Sequence, residues 1–206
     1  MTLHEAQHET EAIVKYLTEK EEKTLLKTVR EIKGHKAERD AAIIELILCT
    51  GLRAAELVGL NVGDVRGKEK LHVRAEIAKR GKERFVPICT DAQRLVKRHV
   101  ATKLAAKESI RDDAPLFVSR NGGRLAKRSL QLTVEQWIIR AGLTASTGEA
   151  LYSTHSLRHT CFKRMQERGV ALTTIQKIAG HASLASTGIY TEATWDEMVE
   201  AVEARG

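Results

Sequence analysis

Residues 40–50 read "DAAIIELILCT". Apart from Asp40, Glu45 and Thr50, the run is apolar in almost every direction around a helical projection. A helix that is apolar all round has no face for water, so it must lie inside a protein with other elements on every side. The remaining residues therefore have to supply several amphipathic elements that wrap around it. Aromatic residues make up only 4% of the 206. The core must then be built from Leu, Ile, Val and Ala, which suits helices packed on helices better than a β-sandwich.

The wrapping elements can be read along the chain. Thr18 and Glu21 match a capping box ahead of "KEEKTLLKTVREI", so a helix is predicted to start near residue 19. Gly51 punctuates the central helix, and "RAAELVGL" reads as a second, short one. The period then changes. "KLHVRAEIA" and "ERFVPI" flank "KRGK", which predicts a β-hairpin with Gly81 in its turn and an edge position at Pro87. Helices are expected again over 90–107, over 129–141 around Trp137, and at about 155–168 and 173–179. A short helix reaching Tyr190 and a last one at about 194–204 complete the series. The segments 119–124 and 142–153 read as a turn and a loop. This order predicts a fold that is mainly α with a small antiparallel β-hairpin insert, an α+β arrangement. Residues 1–18 read as an N-terminal tail, and 19–206 as one domain.

Composition narrows the function. The net charge is +7, which points to an anionic partner, nucleic acid before a membrane surface. Residues 66–84 hold eight basic and three acidic side chains, and 120–128 hold four basic and none acidic. The tail 192–206 reverses this, with five acids and one Arg. That distribution suits a body that grips nucleic acid and a tail that grips protein. No apolar run is long enough to span a bilayer, and the N-terminus lacks a signal-peptide core. Cys49, Cys89 and Cys161 are odd in number and widely spaced, so they read as reduced thiols of a cytosolic protein.

Several chemistries are excluded by motif. "HSLRH" (155–159) has the His-x-x-x-His spacing of a zincin, but Ser156 stands where such a protease needs its Glu. P-loop, dinucleotide-binding and nucleophile-elbow signatures are absent. Acting on phosphate would then fall to the chain's own cations. On a helix, His155, Arg158 and His159 share one face, where they repel one another unless an anion comes between them. Arg53 follows directly on the apolar helix, where a half-buried guanidinium wants a carboxylate or a phosphate. Read alone, it forms an ion pair with Glu56, three residues on. Lys79, Arg80 and Lys82 lie at the hairpin turn, and His181 just past a helix C-terminus.

In order and spacing, "TGLRAAELVGL", "AKRGKERFVPI", "HSLRH" and "AGHASLASTGIYT" resemble the catalytic domain of tyrosine recombinases, the family of phage integrases and Xer-type resolvases. The resemblance runs from about residue 19 to the end. It implies the fold of that domain and strand exchange through a covalent 3′-phosphotyrosine. It assigns catalytic roles to Arg53, Lys79, His155, Arg158, His181 and Tyr190, the last as nucleophile, and supporting roles to Glu56 and His159. Arg80, Lys82, Arg84, Arg124, Lys127 and Arg128 are the candidate DNA contacts. Ala78 and Arg80 flank Lys79 where the family often has glycines, so Lys82 is the alternative leaving-group acid. No cofactor or metal is implied.

The implied partners are double-stranded DNA and further copies of the chain, a tetramer on DNA and a monomer in solution. The apolar stripe Trp195, Met198, Val199 and Val202 would serve for docking. The implied place is the cytoplasm of a bacterium or its phage, at the nucleoid. The helical DNA-grasping domain that usually precedes this one does not appear in the sequence, which predicts weaker, more salt-sensitive DNA binding. A non-cleaving DNA-binding accessory protein and a type IB topoisomerase remain alternatives at this point, with a membrane-surface binder behind them.

Overall fold

The computed structural model describes residues 15–180. Seven helices and one two-stranded sheet are formed within that span: α1 (Glu19–Glu31), α2 (His35–Thr50), α3 (Ala54–Gly59), β1 (Lys70–Val73), β2 (Arg84–Pro87), α4 (Thr90–Ala105), α5 (Lys127–Arg140), α6 (Thr154–Glu167) and α7 (Leu172–Ala179). The mainly α arrangement with a small antiparallel insert is thus the one the sequence predicts.

The apolar run forms the second half of α2, which is packed against α1, α4, α5 and α6. Ile43, Ile44, Leu46 and Ile47 are fully buried or nearly so. Burying each such side chain contributes roughly 1.5–3 kcal/mol. The two charges on this run are paired inside: Asp40 accepts from Arg39 and from the Trp137 indole, and Glu45 accepts from Arg30. Burial still pushes the Glu45 carboxyl above its ordinary range, against the Arg30 hydrogen bond that lowers it. The helix ends at Gly51, whose φ of +61° is the left-handed conformation that a glycine accepts without strain.

The predicted capping box at Thr18 and Glu21 is present in both directions. Just before it, Leu17 is fully buried. Its amide donates to Thr160 Oγ1 and its carbonyl accepts from Arg164, both on α6. Tyr152 and Arg164 also reach Glu21 and Glu22 of α1. The start of the body is therefore strapped across α6, and Leu17 of the predicted tail belongs to the core.

The hairpin differs from its expected form. β1 stops at Val73, which pairs with Arg84, so the strands are short and residues 74–83 form a long connection. Arg74 ends the strand because its guanidinium reaches Asp64 and the Gly59 carbonyl. Ile77 then folds back against Gly59, where a Cβ would come within 2.5 Å of it. Gly81 does lie in the connection, in a 3-10 turn over Lys79–Gly81, as predicted.

Candidate active site

Four segments distant in sequence meet where α7 ends. Arg53 is the N-cap of α3, immediately after the Gly51 turn. Glu56, one turn on, is buried and is the hub of the polar network. Its Oε1 accepts from Arg53 Nη1 and Arg84 Nη1, each at 3.0 Å. Its Oε2 accepts from the Arg53 amide at 3.0 Å and from Arg84 Nη2 at 2.9 Å. Burial pushes this carboxyl up, but the Arg84 and Arg53 bonds outweigh it and hold the group below its ordinary range. The simple Arg53–Glu56 ion pair read from the sequence therefore exists, within a larger arrangement.

α6 carries the HSLRH stretch, and Ser153 caps it through bonds from the His155 and Ser156 amides. Leu157, Cys161 and Phe162 bury its inner face. Arg158 is buried with them: its Nη1 donates to the Gly51 carbonyl, its Nη2 donates to the Ala179 carbonyl at 3.0 Å, and its guanidinium lies 4.7 Å from the centre of the Phe162 ring. Phe162 also fills the space beside Gly51, where a Cβ would come within 2.5 Å of the ring. His155 is exposed and meets the buried His159 edge to face, with ring centres 4.2 Å apart. Desolvation, then Arg158, then Arg53 lower the His155 pKa, which favours the neutral imidazole at neutral pH.

α7 ends at Gly180 in the left-handed conformation, φ +63°. Three guanidiniums from three elements cover its last carbonyls. Arg84 takes Ile178 O at 3.1 Å, Arg158 takes Ala179 O, and Arg53 reaches Gly180 O at 3.5 Å. The partial negative charge of a helix C-terminus suits cations placed there. A small cluster of Cys161, Phe162, Ile175 and Ala179 fastens α7 to α6 and sets this position.

Beside this junction, a cleft of about 790 Å³ opens between the hairpin connection and α7. Lys79, Arg80, Lys82, Arg84 and Lys177 line it, and it runs to Gly180. Lys79, Arg80 and Lys82 are all exposed, and Arg80 is held at φ +70°, a conformation that costs a non-glycine residue roughly 1–2 kcal/mol. Lys127 and Arg128 are exposed at the first turn of α5.

Two of the predicted DNA contacts also make hydrogen bonds within the protein. Arg84 has both terminal nitrogens on Glu56 and its Nε on Ile178, so it builds the site from within. Arg124 donates to the Val58 and Leu60 carbonyls and to Asn61 Oδ1, which ties its loop to the end of α3. Strand alternation carried a signal for Arg84: it shares a face with the buried Val86, while Phe85 between them is exposed. His181, Tyr190 and the predicted helix at 194–204 lie outside the described residues.

Residues 15–197 match the phage integrase family. The tyrosine recombinase XerC of Thermodesulfovibrio yellowstonii is 35% identical over 193 residues, covering 92% of this chain and 61% of that protein. XerC of Actinobacillus pleuropneumoniae serotype 7 is 36% identical over 168 residues, 81% of this chain and 51% of its own. The chain thus spans about half to three fifths of the length of these relatives. Among solved structures, the XerA recombinase superposes with a TM-score of 0.74 at 26% identity, over 92% of this chain and 62% of its own. The catalytic domain of bacteriophage HP1 integrase has the same fold, with a TM-score of 0.61 at 21% identity over 92% of this chain and 94% of that domain.

Proposed function

Because the chain belongs to the phage integrase family, we propose that it is the catalytic part of a site-specific DNA recombinase, which cuts and rejoins DNA through a covalent 3′-phosphotyrosine. One observation carries the reading. Arg53 and Arg158, 105 residues apart in sequence, bring their guanidiniums to the adjacent carbonyls of Gly180 and Ala179, with His155 inside their field. Paired guanidiniums and an unprotonated imidazole are what a phosphodiester in-line displacement needs.

In the proposed reaction the Tyr190 oxygen attacks the scissile phosphorus. The P–O bond to the 5′ oxygen breaks as the Tyr O–P bond forms. His155 takes the phenol proton, which an ordinary phenol with a pKa of about 10 would hold at neutral pH. Lys79, or Lys82 on the same cleft, delivers a proton to the departing 5′ oxygen. Arg53 and Arg158 bind the non-bridging oxygens as charge builds on them. Losing one such donor typically costs about 3–4 kcal/mol, a hundred- to thousand-fold in rate. His181 adds a hydrogen bond to the same phosphate. One phosphoester replaces another, so rejoining is the same step in reverse.

Double-stranded DNA is the proposed partner. Arg80 and Lys82 on the cleft, with Lys127 and Arg128 on α5, supply contacts to backbone phosphates. Assembly of several copies on paired sites is proposed through the acidic segment 192–206. Covalent trapping tests the reading. The protein and its Tyr190→Phe variant are mixed with DNA fragments, quenched in SDS and treated with nuclease. The expected result is DNA-linked protein from the wild type and none from the variant. An accessory DNA binder would give none from either. A topoisomerase of the same chemistry would relax supercoiled DNA without paired sites.

A further inference from the structure

Cys49 and Cys89 are 40 residues apart in sequence and adjacent in the fold. Cys49 lies in the last turn of α2 and is half-buried; Cys89 is the N-cap of α4 and is exposed. The Cys89 amide donates to Cys49 Sγ at 2.8 Å, so the backbone that carries the Cys89 side chain lies against the Cys49 sulfur. Cys161, the third cysteine, is buried on the inner face of α6 and takes no part in this contact.

We propose that Cys49 and Cys89 are a peroxide-responsive dithiol that closes to an intramolecular disulfide. The two thiols are unequal, as such chemistry requires. The side-chain contact with Cys49 lowers the Cys89 thiol, against the burial that raises it. The same contact, with burial, pushes Cys49 up. The N-terminal end of α4 further favours an anion at position 89. Burial pushes Cys161 up to about 12, which keeps it a thiol. Cys89 is exposed and Cys49 half-buried, so a peroxide reaches Cys89 first: it is the attacking sulfur and Cys49 the resolving one.

The steps balance with a hydroperoxide as oxidant. The Cys89 thiolate attacks one peroxide oxygen; the S–O bond forms, the O–O bond breaks, and hydroxide or alkoxide leaves. The product is a sulfenic acid. Cys49 then attacks that sulfur and gives up its proton. The S–S bond forms, the S–O bond breaks, and water leaves. Two thiols are oxidised and one peroxide is reduced. The link would join the end of α2 to the start of α4, two residues before the Gly51 carbonyl that receives Arg158.

The test uses the whole 206-residue chain. It is treated with equimolar hydrogen peroxide, alkylated, digested and mapped by mass spectrometry. The expected wild-type product is two hydrogens lighter, carries one peptide pair joined through Cys49 and Cys89, retains an alkylated Cys161, and reverts with dithiothreitol. Cys49→Ser is expected to stop at a Cys89 sulfenic acid that dimedone captures, and Cys89→Ser to stay unoxidised. A disulfide between chains, a pair that includes Cys161, a Cys89 sulfinic acid without a crosslink, or three unchanged thiols would each overturn the proposal.

Discussion

Replacing Glu56 with Gln tests the polar hub beneath the candidate active site. The substitution keeps the shape, removes the charge and turns an N–H₂ group toward guanidiniums that need an acceptor. The Glu56 side chain is 1% exposed, Arg84 is 12% exposed and Arg53 is 23% exposed. Breaking a buried pair by removing one partner costs about 3–5 kcal/mol, because the remaining charge stays buried without compensation. Arg84 keeps Ile178 O and Arg53 has a path to water, so the lower end, about 3 kcal/mol, is expected. Urea unfolding measures it as a lower midpoint at constant slope. The pH dependence has a definite sign. Glu56 is held below its ordinary value of 4.5, so its contribution is present above that value and is lost as pH falls through the folded pKa. The two proteins should therefore converge in stability in acid. Pairing Glu56→Gln with Arg84→Met should recover part of the loss, since no buried guanidinium then faces the amide. A loss below about 1 kcal/mol at pH 7, the size of an exposed pair, would refute the reasoning.

Other outcomes follow from other parts of the molecule. Gly51→Ala places a Cβ 2.5 Å from the Phe162 ring at φ +61° and should cost at least about 2 kcal/mol in thermal or urea melts. Phe162→Leu in the same chain should relieve the steric part. His99 is buried with Nε2 at the Leu116 carbonyl, and burial lowers its pKa to about 4. The unfolded chain binds that proton first, so stability should fall by about 3 kcal/mol as pH drops from about 6.5 to about 4. His99→Gln should flatten that part of the curve. Lys82→Ala should weaken DNA binding and lower the slope of log K against log salt by about 1, read by fluorescence anisotropy across a salt series.

What the sequence makes legible is local. Thr18 and Glu21 announce α1 because both capping partners lie within one turn. The apolar run announces α2 because burial leaves no other reading. β1 is over-read because "RAEIA" continues a strand-like pattern. Its end is set by Arg74 meeting Asp64 and Gly59, a contact no local rule contains. The same holds for the site. Spacing alone leaves Arg53 an ion-pair partner of Glu56, which it is. Only the resemblance linked Arg53 to HSLRH, and only the fold brings both to the end of α7. The internal bonds of Arg84 and Arg124 are not legible in the sequence, because charge runs do not say which donors are already taken. Cys49 and Cys89 meet only through the packing of α4 on α2.

The guanidiniums at the end of α7 are ordered before any substrate arrives. Each is pinned by a carboxylate, a carbonyl or a ring, and each already has an acceptor of partial negative charge. Freezing a long side chain at an interface ordinarily costs about 0.5–1.5 kcal/mol of rotamer freedom. Here that loss is incurred when the chain folds. A phosphate entering the site would exchange one acceptor for another and need not gather loose cations from solvent. On the proposed function, substitutions that free these arginines should therefore slow the chemical step more than they weaken DNA binding, because alignment is lost while charge is retained.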